Sequence, residues 1–216
     1  MKNKLYYQFA GSCFLLILTV LGYFVKSFPK VLQPFDQWVT GLVYNANDTL
    51  TPFFLWITQF ANPLTIIILF LAILFVLLFG KQYAEAIWLS LSVIGISGVI
   101  NPLLKLAFGR ERPALEHLVS EHSLSFPSGH ATASMILYGS LIFLLPLFIE
   151  NKTLRLGLQI LLGLVIFTIG LSRIYLGVHY PTDIIGGYSL ALGWLLWSFP
   201  IYQEKRFIWR FQSKQN

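Results

Sequence analysis

Residues 154–183 read LRLGLQILLGLVIFTIGLSRIYLGVHYPTD. Between Arg155 and Arg173 there is no charged residue. Wound as a helix, a run of this length crosses a bilayer, which takes roughly 17–25 mostly apolar residues. The run then gives way to an arginine, a histidine and an aspartate in quick succession: Arg173, His179 and Asp183. A charged group beside hydrocarbon is costly and by default marks function. The stretch therefore predicts a membrane span with a polar site at its end.

The rest of the chain follows the same pattern. Its 216 residues are 56% hydrophobic and 11% charged, with a mean hydropathy of +0.69. Soluble domains carry about 25% charged residues, so the composition is that of an integral membrane protein. The formal net charge of +6 sits in loops. No basic stripe survives outside them, which argues against nucleic-acid binding. Cys13, the single cysteine, lies inside an apolar run. It has no partner for an intrachain disulfide and reads as a small buried hydrophobe. Four histidines and one cysteine without CxxC or HxxxH spacing give no zinc signal.

Apolar runs mark six spans: Tyr6 to Val25, Pro63 to Phe79, Ala84 to Leu106 with Pro102 bending its end, the PSGHA segment to Ile149, Leu154 to Arg173, and Pro181 to Ile201. The first run follows Lys2 and Lys4 but lacks a small-x-small cleavage site, so it reads as a retained helix rather than a signal peptide. Residues 26–60 are mixed, and Pro29, Pro34 and Pro52 are expected to break any long helix. Short interfacial helices with a connecting loop are predicted there, and Trp38 and Trp56 suit a membrane–water boundary. Asp36 and Asp48 read as helix caps or solvated loop residues. A basic tail, EKRFIWRFQSKQN, closes the chain. With no repeat and no second domain in view, the expectation is all-α: a six-span helix bundle forming one domain over residues 1–216, its core motifs within 105–183.

Six spans put both termini on one side. That side carries Lys2, Lys4, Lys81, Lys152, Arg155, Lys205, Arg206, Arg210 and Lys214. The other carries Lys26, Lys30, Lys105, Arg110, Arg112 and Arg173. Nine cations against six place the termini in the cytoplasm by the positive-inside rule. The ends of spans three and five and the starts of spans four and six then emerge together on the outer face, bearing KLAFGRERP, PSGH and SRIYLGVHYPTD.

These segments describe an oxyanion site. Lys105, Arg112 and Arg173 are fixed cations, the arginines with a planar fork suited to phosphate oxygens. SFPSGHA runs directly into an apolar helix, whose N-terminal N–H groups form a phosphate seat. Gly129 lets the backbone come close, and Ser128 can cap the helix or donate to an oxygen. His130 and His179 flank the seat. A neutral imidazole attacks phosphorus, and a protonated one donates to a leaving alkoxide. Tyr180-Pro181 argues against a helical His179–Asp183 pair, because a residue before proline avoids the helical region. With Pro181 first in the helix and Asp183 in its first turn, His179 folds back from the loop. Asp183 then accepts its Nδ1–H and leaves Nε2 free. His117 and His122 read as structural, and Glu111, Glu116 and Glu121 as the solvated face of a loop. Glu85 reads as a charge complement to a helix N-terminus.

At these residues the chain resembles the type 2 phosphatidate phosphatases, or lipid phosphate phosphatases, a superfamily that includes soluble vanadium haloperoxidases. The family pattern is K-x6-RP, then PSGH, then SR-x5-H-x3-D. Here it runs Lys105 to Arg112-Pro113, Pro127-Ser128-Gly129-His130, and Ser172-Arg173 with His179 and Asp183. The resemblance implies a bacterial membrane enzyme acting on lipid phosphate monoesters or pyrophosphates: phosphatidate, phosphatidylglycerol phosphate or undecaprenyl pyrophosphate. It implies His179 as a nucleophile forming a phosphohistidine, Asp183 as its orienting base, and His130 as the acid that protonates the leaving group. Lys105, Arg112, Ser128, Gly129 and Arg173 would bind the phosphoryl group, with no metal and no other cofactor. Lipid transport and non-catalytic lipid binding are the rival readings, and neither requires a His–Asp pair.

Overall fold

The computed structural model describes residues 3–44 and 48–212. Lys2 and Lys214, counted above on the terminal side, lie outside them. The described residues hold helices and no strand, with one long non-helical stretch over residues 109–128. They form α1 (Lys4–Ser27), α2 (Pro29–Val43), α3 (Thr51–Thr58), α4 (Pro63–Phe79), α5 (Tyr83–Ser90), α6 (Asn101–Phe108), α7 (Gly129–Phe148), α8 (Lys152–Tyr175) and α9 (Pro181–Gln212). A wide-wound π segment, Leu91–Ile100, joins α5 to α6 in one span from Tyr83 to Phe108. Five helices are long and apolar enough to cross a membrane. A sixth span forms if the pair Asp48–Ala61 and Pro63–Phe79, bent by 50°, counts as one.

Exposure is inverted relative to a soluble bundle. On α8, Leu156, Ile160, Leu164 and Phe167 all face outward, Phe167 at 61% exposure. Only hydrocarbon makes such a surface favourable, so the chain is a multi-pass membrane protein. Inside, α7 packs on α8 and α9 around Leu137, Ile169 and Leu195, all fully buried. Without a hydrophobic force between helices in lipid, close backbone approach and polar ties do the fastening. Small residues allow the approach. A Cβ on Gly11 would lie 2.9 Å from the Gly193 carbonyl oxygen where α1 runs along α9, and one on Gly187 would lie 2.7 Å from the Ser128 carbonyl oxygen between α9 and α7. The polar ties include Trp88 Nε1–H to Ser198 Oγ and Trp194 Nε1–H to Ser92 Oγ, each 2.9 Å.

Several expectations are revised. Pro34 does not end a helix but sits inside α2; the carbonyl it frees belongs to Lys30, an exposed residue that water can satisfy. The last span does not stop at Ile201. It continues through the basic tail to Gln212, where Arg206 reaches back to the buried Glu85 at 2.5 Å. Glu85 does stand in the first turn of α5, as a charge complement would, but it is buried and paired. Cys13 is exposed on the outer face of α1 rather than buried. Asp36, expected as a cap or loop residue, is 2% exposed in the middle of α2.

Candidate active site

The three motif segments meet. Lys105, Arg112, Gly129, His130, Arg173 and His179 line one cavity of about 890 Å³, while Ser128 and Asp183, both fully buried, stand behind its wall. The cavity has two characters. Its head is cationic; its length is walled by Ile66, Ile67, Phe70 and Leu71 of α4 and by Val93 and Ile94 of the π segment.

Local sequence explains each placement. Ser128 caps α7, its side chain accepting the Ala131 N–H at 3.4 Å, so Gly129 and His130 open the helix at the cavity wall. A Cβ on Gly129 would meet only Asn101 and Lys105, at ordinary contact distances, so the protein itself does not demand glycine there. At the end of α8, Gly177 adopts φ +77, where a Cβ would strike the Glu116 carbonyl oxygen at 2.8 Å. That turn brings the Val178 and His179 N–H groups onto the Arg173 carbonyl, both at 3.2 Å. Pro181 then opens α9, and Asp183 reaches back to accept the Tyr180 N–H at 2.9 Å, as the N3 residue of a capping box does. One carboxylate thus caps a helix and faces a histidine.

His179 Nδ1 lies 3.3 Å from Asp183 Oδ2 and 3.2 Å from Ser125 Oγ; its Nε2 lies 3.3 Å from Arg112 Nη1. Arg112 can only donate, so Nε2 accepts and the ring proton sits on Nδ1; the tautomer is assigned from this network. Burial, and then the charges of Arg112, Arg173, Lys105 and Arg110, hold His179 well below the ordinary imidazole value. Ser125 donates to Asp183 Oδ2 at 2.5 Å. Burial also lowers Arg112, against the opposing pull of Glu121 and Asp183, but a guanidinium stays charged.

Arg173, 1% exposed, donates from Nη1 to Thr58 Oγ1 at 2.8 Å and from Nη2 to Glu121. Its Nε–H is buried without a hydrogen-bond partner among the described residues. A buried donor left unpaired costs about 1–3 kcal/mol, a cost that an incoming oxygen would remove. Lys105 donates to the Leu124 carbonyl.

Four residues were missed by the sequence reading. Glu121 is not on a solvated face: it bridges Arg173 and Arg112, the latter at 3.2 Å, and lies 4.0 Å from His130 Nδ1. Ser125 joins Asp183 to His179. Asn101 ties α6 to the capping turn, donating to Thr132 Oγ1 at 2.9 Å and to the Pro127 carbonyl at 3.3 Å. Asp36 pairs with Arg110, which also grips Asp183. One signal existed: the motifs concentrate cations, and Glu121 is an acid between them that could balance the charge. His117 makes a local bond, its Nε2 lying 2.9 Å from the Pro113 carbonyl oxygen.

Known proteins resemble this chain in sequence and in fold. The sequence profile of the PAP2 superfamily matches residues 86–207. The chain is 36% identical over 120 residues to phosphatidylglycerophosphatase B of Bacillus subtilis, a match spanning 52% of this chain and 58% of that protein's length. It is 32% identical over 171 residues to undecaprenyl-diphosphatase BcrC of the same organism, across 74% of this chain and 80% of the other. The crystal structure of a transmembrane PAP2-type phosphatidylglycerolphosphate phosphatase from Bacillus subtilis superposes with a TM-score of 0.78 at 27% identity. That match covers 90% of this chain and 96% of the other.

Proposed function

The chain belongs to the PAP2 superfamily, and from that premise we propose that it hydrolyses lipid phosphate monoesters or pyrophosphates through a phosphohistidine on His179. The observation that carries the reading is an imidazole, backed by a buried carboxylate, on the wall of a cavity with a cationic head and an apolar body. A lipid phosphate has the same two characters. The relatives' names point to phosphatidylglycerol phosphate and undecaprenyl pyrophosphate, and phosphatidate has the same head-group chemistry.

In this mechanism the phosphoryl oxygens take Lys105, Arg112 and the free Nε–H of Arg173, with the N-terminus of α7 adding its dipole. The phosphoryl group displaces Glu121 from between the two arginines. His179 Nε2 attacks phosphorus as the P–O bond to the lipid breaks. His130 gives its proton to the leaving oxygen. The imidazolium proton on Nδ1 stays hydrogen-bonded to Asp183, which stabilises the charge. Water then attacks phosphorus, His130 takes its proton, the P–N bond breaks, and inorganic phosphate leaves. The fixed cations supply the charge stabilisation that a metal supplies in other phosphoryl transfers, so no metal enters this scheme. The cation count by side supports termini in the cytoplasm and a site on the extracytoplasmic face.

The test is inorganic phosphate release by the detergent-purified protein in EDTA, with phosphatidate, phosphatidylglycerol phosphate and undecaprenyl pyrophosphate in parallel. Release is expected in EDTA and absent in His179→Ala, which still binds a lipid phosphonate. Turnover by His179→Ala would overturn the nucleophile assignment. Release that requires added metal would overturn the metal-free mechanism.

A further inference from the structure

The catalytic carboxylate is held by a residue far away in sequence. Asp36 lies in the interfacial helix α2, outside the segment that matches the family profile. It is 2% exposed, and both its oxygens are occupied. Oδ1 accepts the Thr182 N–H at 3.0 Å; Oδ2 accepts Thr182 Oγ1–H at 2.9 Å and Arg110 Nη2–H at 2.7 Å. Arg110 spends its other nitrogen, Nη1, on Asp183 Oδ1 and Thr182 Oγ1, both at 2.7 Å, and its guanidinium stacks 4.0 Å above the Tyr180 ring.

We propose that Asp36 and Arg110 form a positioning pair that sets the plane and charge of Asp183 from behind the site. The inference rests on the His179 reading above. The guanidinium is a rigid fork, so anchoring one tine on Asp36 fixes the direction from which the other meets Asp183 Oδ1. Asp183 Oδ2 is then left facing His179, with Ser125 and the Tyr180 N–H on its remaining lone pairs. The Asp36–Thr182 bond adds a second constraint. It satisfies an orphan N–H in the first turn of α9, one residue before Asp183, from another helix. Charge matters as well as shape. Arg110 between two carboxylates divides its attraction, so Asp183 keeps enough negative charge to support an imidazolium. Neither Asp36 nor Arg110 lines the cavity, so they act on the chemical step and not on substrate binding.

The experiment compares Asp36→Asn, Arg110→Lys, Asp183→Asn and the Asp36→Asn/Asp183→Asn double variant, with His179→Ala beside them. Each is measured by single-turnover and steady-state phosphate release from phosphatidylglycerol phosphate, by affinity for a non-hydrolysable lipid phosphonate, and by thermal midpoint. Asp36→Asn and Arg110→Lys should each lower the single-turnover rate and kcat by roughly 10–100-fold, the usual cost of losing an outer orienting partner. KM and phosphonate affinity should hold; the thermal midpoint should fall, because a buried ion pair is broken, so rates are compared well below it. In the Asp183→Asn background, Asp36→Asn should cost less than about twofold more, because residues acting through one group are not additive. Wild-type turnover by Asp36→Asn overturns the proposal. So does a loss repeated in full on top of Asp183→Asn, or a loss matched by weakened phosphonate binding. Turnover by His179→Ala sinks the parent reading whatever Asp36 does. A dead His179→Ala beside an unaffected Asp36→Asn sinks the positioning pair alone.

Discussion

Asp183→Asn probes the site most sharply, because an amide cannot satisfy the neighbours of that carboxylate in either orientation. At Oδ2 the carboxylate meets Ser125 O–H at 2.5 Å, the Tyr180 N–H at 2.9 Å and the His179 ring nitrogen at 3.3 Å. An NH₂ placed there faces donors. Turned the other way, it faces Arg110 Nη1 at 2.7 Å, a group that can only donate. The orientation with the NH₂ at the Oδ2 position spares Arg110 a donor–donor clash, and in it His179 loses the acceptor that holds its proton on Nδ1. The same change behind a catalytic imidazole costs about 10⁴-fold in kcat, or about 5.4 kcal/mol at 1.36 per tenfold. Asp183 is not part of the cavity wall, so KM should stay near its wild-type value. The assay is steady-state phosphate release, paired with alkaline-quench trapping of a base-stable, acid-labile phosphoenzyme from lipid radiolabelled in its phosphate. The variant should turn over about 10³–10⁴-fold slower and accumulate no phosphohistidine. A kcat within about tenfold of wild type, or a loss confined to KM, would refute the orienting role.

Three further outcomes follow from the geometry. His179 is buried neutral, with its folded value well below 6.5. The unfolded chain takes up a proton on this ring near pH 6.5 that the folded protein refuses. Stability is therefore intact above that value and falls as pH drops below it. The thermal midpoint of the wild type should fall more steeply than that of His179→Gln from about pH 7 to about pH 5; equal slopes would mean that the ring titrates normally. Glu121→Gln removes the carboxylate that competes for Arg112 and Arg173, so a lipid phosphonate should bind more tightly in a calorimetric titration. Weaker binding would show that Glu121 organises the arginines instead of occupying them. Gly187→Ala puts a Cβ 2.7 Å from the Ser128 carbonyl oxygen and 3.0 Å from the Ala131 Cβ. Overpacking of this kind costs about 1–3 kcal/mol, and the thermal midpoint should fall with activity. An unchanged midpoint would mean that α9 shifts freely against α7.

What the sequence made legible was what repeats or lies close in the chain. The apolar runs gave the six-span layout because length and lack of charge suffice to define a span. His179 and Asp183 are four residues apart, and Tyr180-Pro181 between them was enough to place the helix start at Pro181. Asp36 could not be placed in this way. Its partners Arg110 and Thr182 are 74 and 146 residues distant, and an aspartate in a polar-looking segment carries no local mark of burial. Pro34 misled for a related reason: a proline can stay inside a helix where the freed carbonyl is exposed to water, and exposure is not written in the local sequence. Glu121 sits among loop residues whose composition is that of a solvated surface. Glu111 and Glu116 beside it are indeed exposed, and only the spatial meeting of α6, α7 and α8 separates Glu121 from them.

The wide-wound stretch Leu91–Ile100 acts on the site as a phase shifter. A wheel drawn at 3.6 residues per turn through Tyr83–Phe108 misplaces everything beyond residue 91 relative to what precedes it. The early part of the span is anchored by Glu85 to Arg206 and by Trp88 to Ser198. The late part presents Lys105 to the cavity and Asn101 to the capping turn. Removing a single residue between these anchors turns one set by about a quarter turn round the axis against the other, carrying the lysine off the cavity wall with no motif residue altered. In this span the count of residues is a functional quantity beside their identity.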